Sequence, residues 1–294
     1  MKIAIYGKKI EKSNSQQIKK LFDFLLERNI PFIVHQHLKN SLEQHSFFPL
    51  NSIKFFSAHK ELSSEISFLL SIGGDGTFLD TALLVRDLNI PILGINTGRL
   101  GFLSNTPTSE ITSALNDLLN GNYSTEERSM LCLESDKKHF GDDNFALNEI
   151  SILKSDSSSM ITIHAELNGT HLNSYWTDGL IISTATGSTA YSLSCGGPIM
   201  MPGSGNFVIT PIAPHNLNVR PIVIDDDAIL KVRVESRAEK NLVAMDSRSE
   251  ELLNGEVLTI QKAAFKIAIV QLKNQSFVNS LRNKLNWGLD QRNG

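Results

Sequence analysis

Gly73-Gly74-Asp75-Gly76-Thr77 follows an apolar run, Ile66 to Ile72, and precedes a segment of helical spacing, Phe78 to Val85. Strand, glycine turn and helix in that order put the glycines at the carboxyl end of a buried strand, where open α/β sheets bind their ligands. Glycines let backbone N–H groups approach a polyanion, and the start of a helix adds partial positive charge. A phosphate fits such a loop. Asp75 is the odd member, because a carboxylate repels phosphate unless it binds a metal or takes a proton from a nucleophile. Two readings stay open here: a site of chemistry, or a tight strand-to-helix turn with Asp75 as its N-cap.

Toward the N-terminus, Lys2 to Tyr6 and Pro31 to Val34 have strand patterns. Between them Gln16 to Leu26 places Ile18, Leu21, Phe22, Leu25 and Leu26 on one helical face. Glu43 to Ser64 is polar, with a mixed period that supports no assignment. On the other side, Ile90 to Ile95 is a further buried strand, and Asn96-Thr97-Gly98-Arg99-Leu100-Gly101-Phe102 is a second loop at a strand's carboxyl end. Two loops on one rim make a crevice. Phe102 is either a packing residue at a hinge or a cover for a flat ring. Thr108 to Leu119 has helical spacing and stops at Asn120-Gly121. Strands alternating with helices predict a doubly wound, mostly parallel sheet.

From Tyr123 the pattern changes to short β segments: Met130 to Leu133, Phe145 to Leu153, Ile161 to Leu167, Gly179 to Thr184 and Phe207 to Ala213, then Ile222 to Ile224, Ile229 to Val234, Leu242 to Met245, Val257 to Ile260 and Lys266 to Leu272. Asn168-Gly169, Asn254-Gly255 and Asp225-Asp226-Asp227 punctuate them as turns. The expected organisation is an α/β domain over 1–121, completed by the tail 273–294, and an all-β domain over 122–272. The tail, Phe277 to Trp287, is helical in pattern and is expected to return to the first domain.

Inside the β domain, Thr177 to Tyr191 ends a strand in a dense set of hydroxyls around Gly187. Small hydroxylated residues beside glycine suit close hydrogen bonding to ribose, amide or phosphate groups, and equally suit a simple Ser/Thr-rich turn. Asp178 opens that strand, able to accept from a sugar hydroxyl or to cap a turn. Asn148-Glu149 interrupts the apolar Phe145 to Leu153, and burying such a pair requires a partner, whether ligand, backbone or water.

The 294 residues are 41% hydrophobic and 20% charged, as in an ordinary globular protein. Lys plus Arg at 28 against Asp plus Glu at 31 gives a formal charge of −3, which advertises neither a nucleic-acid nor a membrane surface. Cys132 and Cys195 lack metal or disulfide-framework spacing. No signal-peptide pattern and no apolar run of about 18 residues is present, so a cytoplasmic protein is the expectation.

Taken together, the GGDGT loop, the Asn96-to-Phe102 loop, Asn148-Glu149, the Asp178-to-Tyr191 run and His215 to Pro221 resemble the NAD kinase family, in its order and at about its spacings. The likeness spans roughly Ile66 to Trp287. GGDGT alone is shared with diacylglycerol kinases, sphingosine kinases and phosphofructokinases; the long DGLIIS…TGSTAYS segment singles out NAD kinases. The resemblance implies phosphorylation of the 2′-hydroxyl of the adenosine ribose of NAD, with ATP and a divalent cation. By position it makes Asp75 the general base, and lets Gly73, Gly74, Gly76 and Thr77 admit nucleotide and phosphates. It packs Phe102 on the adenine and sets Asn148 and Glu149 on adenosine. Asp178 would hold the nicotinamide-side ribose, with Thr189, Ala190, Tyr191 and Ser194 lining the NAD site. No metal-ligand cluster is visible, so Mg2+ is expected to be held mostly by phosphates. A homodimer or homotetramer is implied, and no nucleic-acid or membrane partner.

Two positions depart from the family pattern. Trp176 stands where some relatives carry a basic residue or glycine, which bears on NAD against NADH. Asp246-Ser247-Arg248 replaces Asp-Gly-Gln or Asp-Ser-Gln, and Arg248 is expected in a surface salt bridge rather than on a phosphate. The alternatives are a lipid kinase, which needs an apolar tunnel that the hydroxyl-rich Ser183 to Thr189 run argues against, and a non-catalytic dinucleotide sensor, which gains nothing from Asp75 among phosphates.

Overall fold

The computed structural model describes residues 1–45, 53–155, 159–273 and 275–286, and the chain divides into two compact units, Met1–Glu127 with Ile267–Gly294, and Arg128–Lys266. In the first, the elements run β1 (Ile3–Gly7), α1 (Ser15–Glu27), β2 (Phe32–His35), α2 (Lys39–His45) and β3 (Lys54–Phe56), then β4 (Phe68–Ile72), α3 (Asp75–Val85), β5 (Ile92–Asn96), β6 (Thr106–Pro107) and α4 (Ile111–Leu119). The stretch without a clear period, Glu43 to Ser64, contains the end of α2 and all of β3; residues 46–52 between them lie outside the described residues.

Five strands stand in the order β3-β2-β1-β4-β5, all parallel, with Ile3 paired to both Phe32 and Phe68 and Leu69 to Ile92. The chain winds outward from β1 to β3, then returns to the far side of β1 for β4. The winding therefore reverses between β1 and β4, which opens a crevice outside their carboxyl ends. Both faces of a parallel sheet must be covered, and these strands are apolar on both. Ile3, Ile5, Leu70, Ile72, Leu93 and Ile95 pack with Ile18, Leu21, Phe22 and Leu25 of α1 and Ile111, Leu115 and Leu118 of α4. The alternate residues face α3, whose Thr81 hydroxyl donates to Ser71 at 2.9 Å.

The second unit is antiparallel throughout its described pairings. Its strands are the end of β7 (Tyr123–Glu134), β8 (Phe145–Ala146), β9 (Glu149–Leu153), β10 (Ile161–Leu167), β11 (Thr170–Thr177), β12 (Gly179–Thr184), β13 (Asn206–Ile212), β14 (Ile222–Asp225), β15 (Leu230–Glu235), β16 (Lys240–Met245), β17 (Arg248–Leu253) and the first part of β18 (Val257–Leu272). A short helix, α5 (Tyr191–Ser194), follows β12. One layer has the order β11-β10-β15-β18 and the other β14-β13-β12-β9-β16-β17. Alternating residues of both layers, among them Ile163, Val232, Leu258, Ile150, Ile182 and Val243, form one core.

Several segments differ from their sequence pattern. Phe145 to Leu153 is two strands broken at Leu147-Asn148, Val257 to Ile260 and Lys266 to Leu272 are one strand, and β11 and β17 have no counterpart in the predicted set. Phe207 to Ala213 ends one residue early, where Ala213 takes a positive φ of 45°. The tail forms α6 (Phe277–Leu285) within the first unit; Trp287 lies outside the described residues.

Candidate active site

Helix α3 begins at Asp75 with Gly74 as its extended cap residue, so Asp75 is not the N-cap. Its carboxylate turns to the loop after β5 instead. Oδ2 accepts from the Phe102 N–H at 2.8 Å, and Oδ1 accepts from Leu103 at 3.0 Å and Ser104 at 2.9 Å. A carboxylate offers about four acceptor directions, so three donors leave roughly one for a ligand. Only glycine allows this approach: a Cβ at Gly101 would stand 1.8 Å from Asp75 Oδ1. Gly73 is similarly constrained, with a φ of +156° and Thr77 Oγ1 2.2 Å from where its Cβ would be. Gly74 and Gly76 are exposed at the helix start, and Thr77 is half-buried.

The partner loop is shaped by buried Asn96. Its Oδ1 accepts from the Gly98 N–H at 2.7 Å, and its amide donates to the carbonyls of Arg99 at 2.6 Å and Ser104 at 3.0 Å. Phe102 is half-buried and lies 6.0 Å, centroid to centroid, from Phe277 of α6. The same helix delivers Lys284, whose Nζ is 3.6 Å from Asp75 Oδ2 and 4.5 Å from the Phe102 ring centroid. Sequence spacing gave no sign of Lys284, because the contact joins the tail to a loop near the middle of the unit.

The second unit carries its own polar cluster. Asp246, in a positive-φ turn between β16 and β17, accepts from the N–H groups of Leu147 at 3.0 Å, Asn148 at 2.8 Å and Glu149 at 3.2 Å. Those bonds replace ladder bonds where the strand breaks, and so set Asn148 and Glu149 at the start of β9. Glu149 is buried, accepts from the Tyr191 backbone N–H, and has an Oε2 with no protein partner. Burial first, then the neighbouring Asp246 charge, pushes the Glu149 carboxyl up to about 8. Burial raises Asp246 too, but its three N–H donors and Arg248 oppose that rise. We therefore assign the proton of this acid pair to Glu149, which has fewer donors to stabilise its charge.

The hydroxyl-rich run divides in two. Ser183 and Thr184 donate to the carbonyls of Asn148 and Leu147, Thr186 accepts from Arg128, and Ser188 bridges Ala185 and Met200. These hydroxyls hold the turn. Thr189 and Ala190 remain half-buried, while Tyr191 and Ser194 on α5 are exposed. Asp178 is paired with Lys154 at 2.7 Å, a partner the sequence did not single out. His215 is exposed and its ring centroid is 4.1 Å from that of Trp176, making an aromatic pair. The Arg248 guanidinium donates to the carbonyls of Asp143 and Phe145, as its planar fork allows.

Comparison with known proteins accords with both halves of this description. Residues 3–123 match the family model described as the ATP-NAD kinase N-terminal domain, and residues 147–272 match that of the ATP-NAD kinase C-terminal domain. The chain is 47% identical over 295 residues to the NAD kinase of Flavobacterium psychrophilum and 45% identical over 293 residues to that of Cytophaga hutchinsonii, with 100% of each chain covered in both cases. In fold it is similar to a yeast NADH kinase solved with NADH, at a TM-score of 0.87 and 21% identity, covering 99% of this chain and 88% of the other.

Proposed function

The chain belongs to the NAD kinase family, and from that premise we propose how its residues divide the work of ATP-dependent NAD phosphorylation. Family membership sets aside the lipid-kinase and sensor alternatives. The observation that carries the mechanism is the Asp75 carboxylate, held by three loop amides at the head of α3.

Phosphoryl transfer needs positioning and charge neutralisation more than covalent help. In our reading the ribose 2′-hydroxyl oxygen of NAD attacks the γ-phosphorus of ATP, the bond to the ADP oxygen breaks, and the hydroxyl proton passes to the open acceptor direction of Asp75. The amides of the 102–104 loop fix the carboxylate, so its effect comes from geometry. Gly73, Gly74, Gly76 and Thr77 admit phosphates to the helix start, and Phe102 supplies an aromatic face for adenine. In the second unit, Asn148 and Glu149 bind adenosine, with Glu149 donating its proton as a hydrogen bond. Asp178, held by Lys154, takes the other ribose, and Thr189, Ala190, Tyr191 and Ser194 line the NAD site.

Among the described residues no three His, Cys, Asp or Glu side chains converge on a cation position. The proposed Mg2+ is carried in by the phosphates, which commonly supply most of its ligands and whose charge it offsets. Exposed apolar side chains of the second unit, with Leu217 at 90% and Met201 at 55%, offer surface that a homodimer or homotetramer would cover. No described helix is long and apolar enough to cross a membrane, and the cytoplasm is the proposed location.

The test is NADP formation by the purified protein with ATP and Mg2+, offering NAD and NADH separately. Product from NAD supports the reading. No product from either acceptor would overturn it.

A further inference from the structure

Residues 97–104 form the loop whose amides hold Asp75, and two of its positions, Gly98 and Gly101, are glycines. Glycine loses more freedom on ordering than any other residue, so such a loop does not keep three N–H groups converged by its own stiffness. Something outside the loop must hold it. Asn96, the last residue of β5, is placed to do so: its side chain is buried, and all three of its hydrogen bonds go to the loop. Gly94, two residues earlier, gives the loop room to fold back. A Cβ there would stand 2.6 Å from the Leu103 carbonyl oxygen and 2.7 Å from Ser104 Cα, so the end of the loop lies directly on the strand.

One carboxamide supplies two donors and an acceptor, and each is spent on a different part of the loop. Oδ1 takes the Gly98 N–H at 2.7 Å, where the chain leaves β5. Nδ2 donates to the Arg99 carbonyl on the outgoing limb at 2.6 Å and to the Ser104 carbonyl on the returning limb at 3.0 Å. The same Ser104 carbonyl accepts from the Gly101 N–H at 2.9 Å, which closes the loop on itself. Ser104 is thereby held through its C=O while its N–H reaches Asp75 Oδ1 at 2.9 Å. On the outer side, Asn14 donates to the Thr97 carbonyl at 2.9 Å. An ionised aspartate at 96 would offer no donor to either carbonyl, and a serine has a single O–H.

We propose that Asn96 is a positioning residue for phosphoryl transfer. It ties the two limbs of the 97–104 loop together, so that the N–H groups of Phe102, Leu103 and Ser104 converge on Asp75 and leave its remaining acceptor direction aimed at the substrate hydroxyl. The assignment rests on the kinase reading above and adds to it a residue that acts through Asp75 alone.

The experiment is a double-mutant cycle on the full-length protein: wild type, Asn96→Ala, Asp75→Asn and the two combined, each measured for NADP formation, KM for NAD and amide hydrogen exchange. Asn96→Ala is expected to lower kcat by about a hundred-fold, the cost of a misplaced catalytic group, with KM for NAD near wild type. Exchange at residues 102–104 is expected to quicken while β5 and α3 keep their protection. A residue that works only through Asp75 has nothing further to lose once that base is gone. In the Asp75→Asn background the same substitution should therefore change turnover by less than about three-fold. Near-wild-type kcat in Asn96→Ala, unchanged exchange at 102–104, or a full repeat of the loss in the Asp75→Asn background overturns the assignment. Asn96→Ser, which keeps one donor, carries the cycle if the alanine variant does not fold. A wild-type protein that makes no NADP defeats the kinase reading itself, and the exchange result then still decides whether Asn96 braces the loop.

Discussion

The Lys284 ammonium stands 3.6 Å from Asp75 Oδ2, with the Phe102 ring under it at 4.5 Å. A cation there shares the one acceptor direction that the loop amides leave open, and it faces negative charge when a phosphoryl group arrives. Lys284→Met is expected to lower kcat/KM for NADP formation by about ten-fold, a modest figure because both side chains are partly exposed. Lys284→Arg should recover part of the loss, since it keeps the charge.

Gly101 tests whether loop and carboxylate must touch. A Cβ at 1.8 Å from Asp75 Oδ1 cannot be accommodated without moving the loop away. Gly101→Ala is expected to reduce turnover by about a hundred-fold or more, as misplacement of catalytic groups does, while thermal unfolding stays cooperative.

Glu149 makes stability pH-dependent in a direction opposite to an ordinary carboxylate. Between its ordinary value of 4.5 and the native value of about 8, the unfolded chain has released this proton and the native chain keeps it. The unfolded state then binds fewer protons, so stability from this group falls as pH rises across that window and is fully lost above it. Glu149→Gln, which imitates the protonated acid, should flatten the fall in melting temperature between about pH 5 and pH 8 and preserve NAD binding at neutral pH. Glu149→Ala should weaken NAD binding, which isothermal titration would register.

Arg248 predicts a structural rather than a catalytic loss. Its guanidinium spans two backbone carbonyls and flanks half-buried Asp246. Arg248→Ala is expected to cost about 2 kcal/mol, the range for hydrogen bonds from a charged donor, seen as a lower denaturation midpoint with KM for ATP and NAD near wild type. Lysine cannot span both carbonyls, so Arg248→Lys should recover little of it.

The loop at the centre was legible because its signals are local: an apolar run, glycines and helical spacing lie side by side from Ile66 to Val85. Its chemistry was legible only in part, since the donors to Asp75 are backbone amides 27 to 29 residues away, and any residue type has an N–H. The two strands of the second unit that escaped notice, β11 and β17, have polar, exposed patterns. β11 ends one layer and β17 the other, and few of their side chains are buried, so little apolar alternation marks them. Asn148-Glu149 stood out as a polar pair in an apolar stretch, but that its backbone N–H groups meet Asp246 follows from a strand pairing, Met245 with Ile150, that no spacing reveals.

The most direct test of the account is the turnover of Asp75→Asn, measured as NADP formed from NAD with ATP and Mg2+ and read beside NAD binding and melting temperature. Asparagine keeps one acceptor oxygen for the loop amides but cannot take the hydroxyl proton. The account predicts turnover reduced by about a thousand-fold or more, with the protein folded and NAD still bound. Turnover within a few-fold of wild type would contradict it, and would leave Asp75 as the anchor of the 102–104 loop and nothing more.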